Sequence, residues 1–168
     1  ELVHVSDVVT ENFVVGTMQR AGLTYDALRE IRPDVIMLSG STVGQTGPCR
    51  AATGWGPNSM AVAGVPFLTG YEGTHPSSVD ATYPDFIIGV QMVGALLAAL
   101  HERRRSGQGQ YIDVAMAETI IATIPEAVMD YAMNGREGAR RGNHQHGMSP
   151  NGVFRCLGDD AWVAISVP

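Results

Sequence analysis

The apolar and polar positions of this chain alternate between short β-branched runs and longer stretches of helical spacing. Within residues 2–12, Asp7-Val8-Val9-Thr10 is a β-branched run that reads as a buried strand ending in Glu11-Asn12-Phe13. Gly16 breaks it. From Thr17 to Ile31 the residues Met18, Ala21, Leu23, Ala27, Leu28 and Ile31 stand near helical spacing, with Gly22 between them. The spacing therefore predicts two short helical pieces, stopped by Pro33. Asp34-Val35-Ile36-Met37-Leu38-Ser39-Gly40 is a continuous apolar strand. Strand, helix and strand over this length imply a parallel crossover unit, and in such sheets ligands gather outside the carboxyl ends of the strands. That edge holds Glu11-Asn12-Phe13 and the loop from Ser39 to Gly47.

From Gly40 to Tyr83 the chain is rich in Gly, Pro, Ser and Thr, and only Ser59 to Leu68 predicts a short helix. A connection this long inside a compact domain is uncommon and more often functional than not. The pattern then predicts a helix over 86–105, a stop at Ser106-Gly107-Gln108-Gly109 and a strand over Gln110-Tyr111-Ile112-Asp113-Val114. Residues 115–133 follow as helix interrupted at Pro125. A polar linker holding Arg140, Arg141, His144 and His146 runs to Asn151. Beyond it, the strand patterns 152–157 and 162–167 flank Gly158-Asp159-Asp160 and predict a β-hairpin. The chain opens without Met and stops on a strand pattern, so it is expected to be an excised fragment.

Composition narrows this picture. With 168 residues and 45% hydrophobic content, the chain can bury a sizeable core as one globular domain with part of a second. A net charge of -6 argues against nucleic-acid binding, and the run Arg103-Arg104-Arg105 is too short to change that. All eleven basic residues are arginine, which excludes a Schiff-base lysine and a phosphate-loop lysine within these residues. Cys49 and Cys156 form no CxxC and read as reduced thiols of a cytoplasmic protein. His144 and His146 lack the neighbouring carboxylates or paired cysteines of a metal site, so no metal is expected. No uninterrupted apolar run reaches the length of a membrane span and no signal peptide opens the chain, so no membrane partner is expected.

One acidic residue stands out: Asp85, in Tyr83-Pro84-Asp85-Phe86, directly before the apolar run Ile87 to Leu100. An aspartate there caps the helix, attacks a substrate, or does both. As an N-cap it would accept from first-turn N–H groups, and the helix dipole would favour its charged form. An ionised, oriented carboxylate is also what carboxylate nucleophilic catalysis requires. Competing chemistries find no support: Gly54-Trp55-Gly56 and Gly107-Gln108-Gly109 have neither the spacing nor the context of a dinucleotide fingerprint, and there is no serine nucleophile elbow.

Four motifs in order carry a resemblance. They are Glu11-Asn12-Phe13-x-x-Gly16-x-x-x-Arg20-x-Gly22-Leu23, Gly44-Gln45-Thr46-Gly47-Pro48, Asp85 before an apolar helix, and Arg103-x-x-Ser106-Gly107-Gln108-Gly109-Gln110-Tyr111-Ile112-Asp113-Val114. Together they resemble the family III CoA-transferases, the group that includes formyl-CoA transferase, carnitine CoA-transferase and α-methylacyl-CoA racemase. The resemblance implies an α/β fold: residues 1–142 as part of a Rossmann-like, parallel-sheet large domain that binds CoA and carries catalysis. Residues 143–168 would be the linker and first hairpin of a small α+β domain. It also implies an interlocked homodimer for the full-length protein, so the isolated piece need not be active.

By the same resemblance, Asp85 takes the place of the nucleophile that moves CoA between carboxylic acids through an aspartyl anhydride and an aspartyl-CoA thioester. Coenzyme A and acyl-CoA are substrates, with no permanently bound cofactor. Asn12 and Phe13 match positions that contact CoA, Arg20 a basic position near its phosphates, and Ala52-Thr53-Gly54-Trp55 a segment lining the CoA channel. Read without the resemblance, Asn12 is a turn residue, Phe13 a core aromatic, Arg20 a solvated helix charge and Trp55 a loop anchor. The racemases carry Gly-His-Asp where this chain has Gly54-Trp55-Gly56, and indole cannot serve as the partner base that α-inversion needs. The family's basic residue near Thr53 is also missing. CoA transfer is thus the leading expectation, with an α-methylacyl-CoA racemase or a non-catalytic CoA-binding subunit as alternatives.

Overall fold

All of residues 1–168 are described in a computed structural model of the chain. Leu2–Val5 forms a single helical turn, α1, so the first strand is confined to β1, Val8–Glu11. The strand expected within residues 2–12 is thus shorter than its sequence window. Ser6 Oγ donates to Leu2 O at 2.8 Å and closes the turn locally. Val8 and Val9 are only half-buried, because β1 lies at the edge of the sheet with a partner on one side.

The two predicted helical pieces are α2 (Thr17–Arg20) and α3 (Tyr25–Ile31), and Thr24 Oγ1 caps the second by accepting from Ala27 N at 3.2 Å. They return the chain to β2 (Ile36–Ser41), which pairs parallel to β1 and is buried through Gly40. Met18, Leu28, Val35 and Met37 form the core beneath these helices, with Val9 and Tyr25 packed against it. The crossover is the one the pattern predicts. A third strand, parallel to β2 in turn, completes the order β1-β2-β3.

After β2 the long glycine-rich connection contains α4 (Gly56–Ala63) and α5 (Val65–Leu68) rather than one helix over 59–68. Gly64 divides them at φ 82°, a left-handed conformation that ends α4 and starts α5. The helix α6 (Tyr83–Ser106) then covers the second face of the sheet, and its Ile88 and Met92 sit over Gly40. A Cβ on Gly40 would lie 2.9 Å from Met92 Sδ, so the missing side chain sets how closely α6 approaches β2. The fold is therefore layered as helix, parallel sheet and helix.

Asp85 is not the N-cap of α6. Thr82 occupies that position and the helix begins at Tyr83, which puts Pro84 second and Asp85 third in the first turn. Proline suits the first turn because its missing N–H is unneeded there, and so the helix starts two residues before Asp85. Asp80 secures the entry by accepting from Thr82 N at 2.7 Å and from Thr82 Oγ1 at 2.6 Å.

By length and composition alone, α6 is long and apolar enough to cross a membrane, with a mean hydropathy of 1.6 over 18 residues. Counting only the uninterrupted apolar run 87–100 missed this. Its inner side, Ile88, Met92 and Ala99, packs within the chain. Its outer side carries Phe86, Val90, Val93 and Leu97 at helical spacing, each 56–74% exposed.

At the far end of α6, Arg103 meets Asp7 at 3.1 Å and Asp34 at 3.7 Å, and Arg32 bonds the same two carboxylates at 2.6 and 3.0 Å. The helix stops at Gly107, φ 73°, and leads to β3 (Tyr111–Ala115). Gly109 is required by a backbone crossing: a Cβ there would fall 1.9 Å from Val35 O. Next come α7 (Met116–Ile121) and α8 (Pro125–Asn134), broken before Pro125 as predicted. Residues Met60, Ala63, Val65 and Ile120 join α4, α5 and α7 in a second core. The predicted hairpin is present as β4 (Asn151–Arg155) antiparallel to β5 (Trp162–Ser166).

Candidate active site

The carboxyl ends of the three parallel strands place Glu11, Ser39 and Asp113 side by side in register. Glu11 is only 8% exposed. Its Oε2 accepts from Phe13 N at 2.8 Å, which turns the chain at the end of β1, and its Oε1 accepts from Gln45 Nε2 at 3.4 Å. Asp113 Oδ2 accepts from Gln45 N at 2.8 Å. The two carboxylates thereby pin the Gly44-Gln45-Thr46-Gly47 loop across the strand ends. Gly44 and Gly47 turn it at φ 90° and 85°, where a side chain would be strained. Beside this row, burial pushes the Tyr111 hydroxyl above its ordinary pKa, and the charges of Asp113 and Glu11 act in the same direction.

Over this edge lies a cavity of about 620 Å³, within the range of small-molecule sites. Its walls come from the end of β1, the end of β2, the loop 50–55 and the first turns of α6. Of the eight residues singled out from sequence, Asn12, Phe13, Ala52, Thr53, Gly54, Trp55 and Asp85 line it. Arg20 stands apart: its Nη2 donates to Thr17 Oγ1 at 3.0 Å, and its guanidinium lies beside Gly16. Trp55 is 65% exposed, so it is not the buried loop anchor of the alternative reading, and Phe13 is exposed rather than in the core.

Asp85 reaches the cavity from the first turn of α6, where the positive end of the helix dipole favours a carboxylate. Its side chain makes no ion pair or hydrogen bond with the rest of the chain. The amino end of α4 abuts it. A Cβ on Gly56 would lie 3.0 Å from Asp85 Oδ2 and 2.1 Å from Ala81 O, so no side chain fits at position 56. Thr42 Oγ1 donates to Gly54 O at 2.9 Å and ties the loop before α4 to the end of β2.

Sequence reasoning missed three features of this cavity. Arg50 is the basic residue of its wall, Ser41 presents a buried Oγ with no hydrogen-bond partner, and Met92 and Met116 supply apolar lining. Arg50 follows the Gly44-to-Pro48 motif by two residues, and its charge within a glycine-rich turn was the available signal.

The chain is 38% identical over 168 residues to the succinyl-CoA–L-malate CoA-transferase beta subunit of Chloroflexus aurantiacus, covering 99% of this chain and 41% of that protein. It is 35% identical over 169 residues to the acetyl-CoA:oxalate CoA-transferase of Acetobacter aceti, covering 95% of this chain and 43% of the relative. Among solved structures, a CaiB/BaiF family protein from Brucella suis superposes with a TM-score of 0.87 at 30% identity, over 96% of this chain and 42% of that one. The chain thus spans about two fifths of the length of these relatives. The family model for CoA-transferase family III matches residues 1–168 throughout, and the chain belongs to that family.

Proposed function

We propose that the protein containing this chain is an acyl-CoA:carboxylate CoA-transferase whose nucleophile is Asp85. The observation that carries the reading is an unpaired carboxylate held at a helix amino end, facing a cavity large enough for an acyl group and part of a CoA arm. An Asp85 oxygen attacks the carbonyl carbon of the acyl-CoA, the C–S bond breaks, and CoA leaves as thiolate with a mixed anhydride on Asp85. The thiolate attacks the aspartyl carbonyl and expels the donor acid, leaving an aspartyl-CoA thioester. An acceptor carboxylate attacks that thioester, releasing thiolate and forming the second anhydride. Attack by the thiolate on the acceptor acyl carbon yields the new acyl-CoA and restores Asp85. Each intermediate retains acyl activation, and exclusion of water prevents its loss by hydrolysis.

In this reading Asn12, Phe13 and the segment Ala52 to Trp55 hold the CoA arm, with the exposed indole of Trp55 available to stack on it. Arg20, outside the cavity, serves the phosphates on the solvent side. Nothing favours the racemase: Trp55 carries no basic nitrogen and Gly56 has no room for an acidic side chain beside Asp85. The apolar outer stripe of α6 supports a dimer in the complete protein, since an exposed stripe of this kind needs cover. Two free, exposed cysteines suit a reducing, cytoplasmic setting. In the full-length enzyme, Asp85→Ala should abolish transfer of CoA from acetyl-CoA to carboxylate acceptors while CoA still binds. Turnover by that variant at more than a hundredth of the wild-type rate would refute the role of Asp85.

A further inference from the structure

Four glycines line the cavity, Gly40, Gly44, Gly54 and Gly89, and the first three are accounted for by the protein around them. A Cβ on Gly40 would lie 2.9 Å from Met92 Sδ, one on Gly54 would lie 2.6 Å from Asn58 Cβ, and Gly44 holds a φ of 90°. Gly89 has no such reason to be glycine. It stands inside α6 with ordinary helical backbone, and an added Cβ would meet nothing within 4 Å. Glycine is the least favourable residue of a helix interior after proline, so the backbone of α6 would be better served by almost any other side chain. Neither packing nor conformation explains the residue.

Its place relative to Asp85 does. Asp85, Ile88, Gly89 and Met92 fall at i, i+3, i+4 and i+7, so one face of α6 presents the carboxylate and then these three residues along the cavity wall. Residues four apart on a helix are neighbours, about 5–6 Å between their Cβ positions. The gap at Gly89 therefore begins one turn from the Asp85 carboxylate, with Ile88, Met92 and Met116 as the apolar lining beside it. The transfer reading gives the CoA arm to the walls from β1 and the loop 50–55, which leaves the α6 wall to the acyl group. An acyl carbon joined to Asp85 through one anhydride oxygen has its chain next to this gap. We infer that Gly89 is a specificity-determining residue: the space of its missing side chain takes the hydrocarbon chain of the acyl group and admits acyl groups longer than acetyl. The inference rests on the transfer reading above and adds to it what sets acyl length at this site.

The test uses the full-length enzyme carrying Asp85→Asn, which keeps the shape of the side chain and removes the nucleophile. Equilibrium binding is measured for free CoA, acetyl-CoA, butyryl-CoA and hexanoyl-CoA. With Gly89 in place, hexanoyl-CoA should bind at least as tightly as acetyl-CoA. Gly89→Val should weaken hexanoyl-CoA roughly 10-fold or more beyond its effect on acetyl-CoA, the scale of one misfitted carbon in an apolar pocket, and leave free CoA unaffected. Gly89→Ala should do the same to a smaller degree while raising the urea midpoint, because alanine favours the helix. Gly94→Ala, exposed on α6 and away from the cavity, should leave the chain-length profile unchanged. Equal losses for all four ligands would place the CoA arm in the gap and overturn the inference. So would an undiminished affinity for hexanoyl-CoA, or a Gly89 enzyme that binds hexanoyl-CoA more weakly than acetyl-CoA. A lowered urea midpoint for Gly89→Ala would overturn it as well, because protein and not an acyl chain would then fill the space. Transfer is scored separately: a wild type that transfers CoA from none of these thioesters refutes the transfer reading, and a length-dependent loss of binding would still uphold the acyl pocket.

Discussion

Gly56→Ala places a single methyl group where the structure has no space for it. The added Cβ would stand 2.1 Å from Ala81 O, whereas ordinary contact begins at 3.4 Å, so the two backbone segments must part by about 1.3 Å. Rotamer changes cannot relieve this, because the obstacle is main chain. Ala81 immediately precedes Thr82, the N-cap of α6, so the displacement passes into the first turn and moves Asp85. The same Cβ would also lie 3.0 Å from Asp85 Oδ2. Overpacking of this kind costs about 1–3 kcal/mol of stability. A misplacement near 1 Å at a reacting group costs roughly 100-fold in rate. The assay is kcat for CoA transfer by the full-length enzyme, with urea unfolding on the same preparation. The expected result is a folded enzyme with kcat reduced roughly 100-fold or more. A Gly56→Ala enzyme with kcat within twofold of wild type would refute the claim that the amino end of α4 positions the nucleophile.

Three other substitutions probe the frame. Gly94→Ala, at an exposed position of α6 with nothing within 4 Å of the added Cβ, should raise stability by about 0.5–1 kcal/mol in chemical denaturation. Gly109→Ala should lower the denaturation midpoint, because its Cβ would meet Val35 O at 1.9 Å and force apart the start of β2 and the approach to β3; an unchanged midpoint would contradict that crossing. The third concerns pH. The hydrogen bond from Arg32, aided by the charges of Arg32 and Arg103, holds the Asp34 carboxyl below its ordinary value. A depressed folded-state pKa contributes stability that is present above the unfolded value of about 4 and is lost as pH falls through the folded one. The stability gap between wild type and Asp34→Asn should therefore be steady above about pH 5 and shrink below about pH 4. A gap that is constant down to low pH would contradict it.

What could be read from the sequence was whatever local backbone chemistry decides. The β-branched run before Glu11, the apolar run 34–40, the glycine stop after Ser106 and the break at Pro125 each mark an element that the structure contains. The family motifs also have local explanations. Gln45 is held by Asp113 and Glu11 from two different strands, and Gly109 lies where two backbones cross. The failures share a cause too. Placing the helix start at Asp85 took the polar-to-apolar boundary as the cap, but a proline within the first turn extends the helix backward to Tyr83. Gly64 lies in a run that reads as one helix, and only its left-handed φ reveals two. Arg50 looked like any charge in a polar turn until the fold set it on the wall that holds Asp85. The outer stripe of α6 was hidden because α6 is apolar on both its packed and its exposed sides.

The central claim is that Asp85 becomes covalently attached during transfer. Its most direct test is to incubate the full-length enzyme with acetyl-CoA, quench with borohydride or hydroxylamine, digest, and sequence the peptides by mass spectrometry. The account predicts reduction of the Asp85 carboxyl to an alcohol by borohydride, or its conversion to a hydroxamate by hydroxylamine, with Glu11 and Asp113 unmodified. An unmodified Asp85 peptide from an enzyme that is turning over would contradict it.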